Sequence, residues 1–375
     1  MKKKLLALFL CATMIFSVAA CGDKNKDNTE EGKEVGTPTI TSLADFSDLD
    51  KVFTGDYEVT EEEILAGFSD FLAGAGLGVE WVEVTDRTVV EEGDIVNIDY
   101  TGYLDGEAFS GGSAKDQWIN VKENASVNET TGATEGGFID GFTKGLIGAK
   151  VGETVSHKVT FPENYGNESL NGKETTFEFK VNGIYTFKKL TPETVTDAVI
   201  KEKLEKDYEL TTVQEVLDYV EEVLVYNSLS DYIYDNSKFD VPDDYLDYRV
   251  DSFVEYQDKS LQEQYGETVT LDYYFSLIGY SLETLLPSWE KTIKTQIESE
   301  LMFAEIVKTH NLEIDEEAFE EFLSSNLGDD DTEENRETFY KGLSGGLTDV
   351  GKEYAMNAMT VDEYLNELIE ARLAE

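Results

Sequence analysis

Cysteine is almost missing from this 375-residue chain, which has two, and histidine is as rare, also with two. Cys11 falls in an N-terminal apolar stretch expected to be removed, so Cys21 is the one cysteine of the mature chain and no internal disulfide can hold the fold. His157 and His310 fall in segments expected to belong to different domains. With no cysteine to join them, they argue against a transition-metal cluster, and no metal is expected. Positive charge is scarce too: 30 Lys plus Arg stand against 79 Asp plus Glu, a formal net charge of −49. Acidity spread along a chain repels phosphate backbones and anionic headgroups, which removes nucleic acid from the expected partners. Beyond the N-terminus no stretch approaches the roughly 20 apolar residues that span a bilayer. A chain of this length has room for two or three domains with sizeable cores.

The N-terminus has the form of a targeting segment. Lys2, Lys3 and Lys4 precede an apolar run at 5–18 that is too short for a stable span. Ser17, Val18, Ala19, Ala20 and Cys21 follow, with Gly22 and Asp23 after them, and resemble a bacterial lipobox. The resemblance implies cleavage before Cys21 and lipidation of its sulfur with diacylglycerol; an ordinary secretory cleavage after Ala20 is the alternative. Two acyl chains anchor a protein stably where one is marginal. Residues 1–20 are thus expected to be a signal peptide. Residues 21–39, almost devoid of apolar side chains at their start, are expected to be a flexible tether.

The chemistry gathers at 90–185. The run GDIVNIDYTGYLDGEAF at 93–109 has mixed period-two character, and Asp105 and Gly106 mark a hairpin turn within it. The stretch GGFIDGFTKGLIGAKVGETVSHKVTF at 136–161 contains a short helical piece at 139–146, and PENYG follows. TTFEFKVNGIY at 175–185 closes the region as a strand, with Phe177, Phe179 and Val181 on one face and Thr176, Glu178 and Lys180 on the other. The residues alone predict a small antiparallel sheet with one helical turn packed on it, and aromatics on several strands as its core. The phrases together, in order, resemble an FKBP-type peptidyl-prolyl cis–trans isomerase domain in its trigger-factor form, covering about 91–188.

Either side of that region the pattern is helical. Thr60 and Glu63 form a capping box ahead of Ile64, Leu65, Phe68, Phe71 and Leu72, within a linker region at 40–90. Beyond Leu190, Thr191–Pro192–Glu193 reads as a helix start, and Thr212 with Glu215 as a second capping box. Pro242 opens a further helix, and Asp315 follows a long one through Trp289 and Ile297. KFDVPDDYLDYRVDSF and KTHNLEIDEEAFEEFL resemble the C-terminal, SurA-like helical chaperone domain of trigger factor, which implies an α+β chain with an all-helical domain at 189–375. Trigger factor also has a basic N-terminal ribosome-docking domain. Nothing here resembles it, so no ribosome is expected as a partner.

The resemblance implies an aromatic pocket lined by Tyr100, Phe109, Phe138, Ile139, Phe142, Tyr165 and Phe177. Phe142 would form its floor, Tyr165 would donate to a substrate carbonyl, and the Ile139 N–H would hold the residue after proline. Such a site uses no cofactor. Ser110 departs from the acidic residue usual after the pocket phenylalanine, and the loop at 122–135 is longer than usual, leaving open whether Gln117 or Trp118 reaches the pocket. The expected function is a lipid-anchored isomerase and chaperone on the outer face of the bacterial cytoplasmic membrane, with unfolded or nascent secreted polypeptides containing X–Pro bonds as partners. The alternative is a non-catalytic holdase with a degenerate pocket. Asn124, Asn128 and Asn167 fit N-x-[ST], a pattern without meaning in a bacterium. The acidic run at 329–334 lacks EF-hand spacing and reads as a solvated loop.

Overall fold

The structure, a computed structural model, describes residues 35–374, the side chain of Asp329 excepted; the signal segment, Cys21 and most of the tether lie outside the described residues. Two compact units divide the described chain. One is continuous, 60–221, and the other combines 35–59 with 222–374.

The chain enters through β1 (Thr39–Ser42) and the short helix α1 (Leu49–Val52). Next comes α2 (Glu61–Gly74), whose start is the expected capping box: Thr60 accepts from the Glu63 N–H while Glu63 accepts from the Thr60 N–H. The strands β2 (Val79–Glu83), β3 (Ile95–Leu104), β4 (Glu107–Asn120), β5 (Ala125–Val127), β6 (Thr134–Gly137), β7 (Thr154–Thr160) and β8 (Glu174–Lys189) then form one antiparallel sheet. β8 is its spine. β3 runs along one edge of β8, while β7 and β2 share the other, pairing with its N-terminal and C-terminal halves. β4, β5 and β6 extend the sheet beyond β3. The β3–β4 hairpin turns on Asp105 and Gly106, both at positive φ, as the sequence predicts. Along β8, Phe177, Phe179 and Val181 are buried while Glu178 and Lys180 are exposed, so alternation sets the core face.

Two local expectations shift. The helical piece expected at 139–146 is a single 3-10 turn, Phe142–Gly145, because Gly141 just before it takes a left-handed conformation at φ 86°. The helix expected from Thr191 begins later, as α3 (Asp197–Tyr208), because Thr191 and Thr194 close a turn instead: the Thr194 hydroxyl donates to the Lys189 carbonyl at 2.9 Å. α4 (Val213–Asp235) starts on the expected Thr212–Glu215 box. Phe71 of α2 meets Tyr208 and Tyr219 edge-on or tilted, both at 5.1 Å, which ties α2, α3 and the start of α4 to one another.

β9 (Lys238–Asp240) leads into α5 (Asp243–Tyr265), α6 (Leu271–Leu277), α7 (Leu282–Thr309), α8 (Glu316–Leu327), α9 (Glu333–Ser344) and α10 (Thr348–Leu373). β1 pairs antiparallel with β9, and Ala44, Phe46 and Val52 are buried in the same cluster as Leu229, Phe303 and Val361. Residues 35–59 therefore complete the helical unit, whereas the sequence places 40–90 before the sheet as a linker. Conversely α2, α3 and the first turns of α4 pack with the sheet, so the compact sheet unit runs on to 221, within α4, beyond the expected boundary at 188/189. The physical cause is burial: each segment joins the unit whose core takes its apolar face. Inside the helical unit, Arg249 of α5 is buried and bidentate to Glu300 of α7 at 2.8 Å twice, and it also donates to the Ser344 carbonyl at 3.0 Å. Two donor pairs on one carboxylate fix both distance and orientation between the helices. Among the described residues, no helix is long and apolar enough to cross a membrane.

Candidate functional site

Five ring contacts define the centre of the site. Phe142 stacks on Phe138 at 4.5 Å and meets Phe179 at 4.9 Å, Phe177 at 5.0 Å and Tyr100 at 5.2 Å. Tyr100 in turn meets Phe138 edge-on at 6.4 Å. Phe142 is only 2% exposed, so it lies at the bottom of the cluster. Toward the rim, Phe109 lies 5.9 Å from both Phe177 and Phe161, and Phe161 lies 4.6 Å from Tyr165. Tyr165 is 48% exposed. Perpendicular and tilted pairs dominate, the arrangement that ring quadrupoles favour.

The structure thus brings together all seven residues of the expected pocket. Tyr100 comes from β3, Phe109 from β4, and Phe177 from β8. Phe138, Ile139 and Phe142 come from the turn after β6, and Tyr165 from the loop after β7. Phe161 and Phe179 join the same network, although neither was among the expected lining residues. Phe161 stands in the phrase that carries Tyr165 and could have been found there; Phe179 shares its strand face with Phe177.

Trp118 is directed elsewhere. Its ring packs between Trp81 at 4.3 Å and Tyr185 at 4.6 Å, and along β4 it alternates with Ile119, which is buried in the sheet core. Gln117 donates to the nearby Lys115 carbonyl at 2.9 Å. The long loop is ordered as the β5–β6 hairpin, and Trp81 holds its tip by donating to the Glu129 carbonyl at 2.7 Å. Ser110 is exposed on β4 beside Phe109.

Burial, with the neighbouring Tyr165 phenol adding to it, raises the Tyr100 hydroxyl above its ordinary pKa. Tyr100 therefore stays a neutral donor through any physiological pH. A protein carbonyl brought against these rings would lose water and find phenolic donors, with no charged group needed.

His157 lies on β7 opposite Phe177, and His310 caps α7 with its Nδ1 2.9 Å from the Tyr364 hydroxyl, so the two histidines sit in different units. In the acidic run, Asp331 is held bidentate by Arg336 at 2.5 and 2.8 Å, which already satisfies that carboxylate. Cys21, the expected lipidation site, lies outside the described residues.

Comparison with known proteins divides the chain between residues 182 and 196, ahead of the 221/222 boundary of the compact units. Residues 87–182 match the family described as FKBP-type peptidyl-prolyl cis-trans isomerase, and residues 196–335 match the bacterial trigger factor C-terminus. The trigger factor of Clostridium botulinum (strain Eklund 17B / Type B) is 28% identical over 306 residues, 78% of this chain and 66% of that protein. The trigger factor of Shouchella clausii (strain KSM-K16) is 30% identical over 284 residues, 72% of this chain and 62% of that protein. This chain therefore spans just under two thirds of the length of those relatives. A solved structure described as "Promiscuous Substrate Recognition in Folding and Assembly Activities of the Trigger Factor Chaperone" aligns over 91% of this chain and 80% of its own, at 14% identity. The TM-score of that alignment is 0.33. With both sequence matches in order along one polypeptide, the chain is similar to trigger factors, with an FKBP-type segment followed by a segment matching the trigger factor C-terminus.

Proposed function

We propose that this protein is a membrane-anchored, extracytoplasmic prolyl isomerase and folding chaperone for unfolded or nascent secreted polypeptides. The isomerase reading is carried by one observation: the ring cluster centred on buried Phe142 opens to solvent at Tyr165. An X–Pro bond rotates slowly because twisting breaks amide resonance, a barrier of about 18–20 kcal/mol. A dry aromatic wall removes the water that stabilises the planar, more polar amide, and it binds the twisted form better. The chaperone reading is supported by the helical unit. Leu277, the last residue of α6, is 66% exposed, Ile278 and Tyr280 just beyond it 57% and 58%, and Tyr273 of α6 is half-exposed. Apolar side chains exposed together suit unfolded clients. The anchoring reading rests on the sequence of residues 2–22.

A second reading, a holdase with little catalysis, is favoured by Ser110 at the pocket edge. A protease-free isomerisation assay on a Leu–Pro tetrapeptide, beside suppression of aggregation of an unfolded client, separates the two. The expected result is a rate above background that falls several-fold in Tyr165→Phe, on the order of 1 kcal/mol for one hydrogen bond. Phe142→Ala should lose more, and because it also opens a core cavity its melting temperature must be compared first. Aggregation suppression should survive both changes. A parent that suppresses aggregation but leaves the peptide at its uncatalysed rate would leave the holdase reading alone. Cys21→Ala should release the protein from membranes; equal membrane retention would remove the anchor from the proposal.

A further inference from the structure

Asn124 occupies a position that the pocket reading leaves unused. It follows β4 in a left-handed conformation, at φ 51°, which places its side chain beneath the turn at 138–143. Its Nδ2 donates to the Phe138 carbonyl at 2.9 Å and to the Ile139 carbonyl at 3.2 Å. Its Oδ1 accepts from the Thr143 N–H at 3.1 Å, with the Thr143 hydroxyl 3.0 Å away. Its own carbonyl accepts from the Phe138 N–H at 2.9 Å. The Thr143 hydroxyl also lies 2.8 Å from the Val121 carbonyl, so the turn is tied back to the end of β4. One amide side chain thus holds the backbone that presents Phe138, Ile139 and Phe142.

The peptide unit joining Phe138 to Ile139 is the informative one. In a trans peptide the C=O and the N–H are coplanar and point to opposite sides. With the Phe138 carbonyl drawn onto Asn124, the Ile139 N–H is directed away from Asn124. That N–H makes no hydrogen bond among the described residues. We infer that Asn124 is a positioning residue for the isomerase site: it aims the Ile139 N–H at a carbonyl of the bound peptide and locks the Phe138–Phe142 stack beside it. The inference rests on the isomerase reading above and adds to it a residue that touches no substrate. Glycine would keep the left-handed backbone but leave both carbonyls and the Thr143 N–H without this partner. Aspartate would keep the acceptor for Thr143 and set an anionic oxygen against two carbonyl oxygens.

The test uses the full chain labelled with 15N-isoleucine, with Ile139→Val to assign the Ile139 amide. In the parent, a saturating Leu–Pro tetrapeptide should shift the Ile139 amide resonance downfield. In Asn124→Asp and Asn124→Gly that shift should be lost, and kcat/KM for isomerisation should fall about tenfold, the loss of roughly one aimed hydrogen bond. Melting temperature and aggregation suppression should stay near the parent's. Should the aspartate variant fail to fold, the glycine variant carries the same reading. A parent without isomerisation above background, whose Ile139 amide still moves with peptide, sinks the catalytic reading and leaves the binding geometry standing. An Ile139 amide in the parent indifferent to peptide, or folded variants with the parent's shift and rate, would overturn the role given to Asn124.

Discussion

The two units of this molecule are assembled in opposite ways. The sheet unit is one uninterrupted stretch, 60–221, and its spine β8 pairs only with strands from within that stretch. The helical unit closes only when the two ends of the chain meet: the Ala44 N–H donates to the Ser237 hydroxyl across 193 residues, and the Gly36 N–H to Asp244 across 208. The pocket belongs wholly to the first kind of assembly, and so its geometry does not depend on segments from the far ends of the chain. The exposed apolar side chains at the end of α6 belong to the second.

The largest test of that contrast is removal of residues 1–59. The parent should show two calorimetric transitions, one for each unit. The truncated chain should retain the sheet transition and lose the helical one, because Phe46, Val52 and β1 leave the helical core open. Phe46→Ala in the full chain should destabilise the helical unit by about 3–5 kcal/mol, the usual cost of an aromatic core truncation. An unmoved helical transition in either protein would break the comparison.

Gly351 offers a smaller and sharper probe. A Cβ there would lie 1.9 Å from the Tyr340 carbonyl oxygen, so α9 and α10 meet with no room for a side chain. Backbone cannot step aside as a flexible side chain can. Gly351→Ala should lower the helical transition by about 1–3 kcal/mol while the sheet transition and the isomerisation rate stay put. Equal shifts in both transitions would show the units to melt as one.

Acid should separate the units most gently. Two hydrogen bonds from Arg336, helped by the Ser324 hydroxyl, lower the Asp331 carboxyl from 3.8 to about 2. A carboxyl depressed by folding stabilises the native state above its unfolded pKa, and that contribution fades as pH falls through the folded one. Between about pH 4 and pH 2 the helical transition of the parent should therefore fall more steeply than that of Arg336→Gln. Melting the two proteins across this window checks it, and identical slopes would remove Asp331 from the account. The sheet transition should have the same slope in both.

What could be read from the sequence was local. The Asp105–Gly106 turn, the Thr60–Glu63 and Thr212–Glu215 boxes and the alternation along β8 are each set within a few residues, and each stands where expected. The family phrases likewise named Tyr100, Phe138 and Phe177, whose rings meet that of Phe142. Where the reading strayed, competition decided. Gly141 interrupted a helix that its neighbours favour, and the Thr191 cap was used up in a turn with Thr194. β1–β9 pairing joins short strands some 200 residues apart, and neither carries a pattern that names its partner. Asn124 was visible only as part of N-x-[ST], because its role depends on carbonyls 14 and 15 residues away.

The pairing of β1 with β9 also sets a timetable. A chain leaves the ribosome N-terminus first at about 5–20 residues per second, so the partners of residues 36–44 emerge roughly 10–40 s after them. During that wait the whole of 60–221 becomes available and can close without help from either end. Phe46 and Val52 have no core to enter until α7 and α10 have also been made. Wherever the chain folds, a molecule with a closed sheet unit and those side chains still uncovered would itself be the kind of chain a folding helper binds.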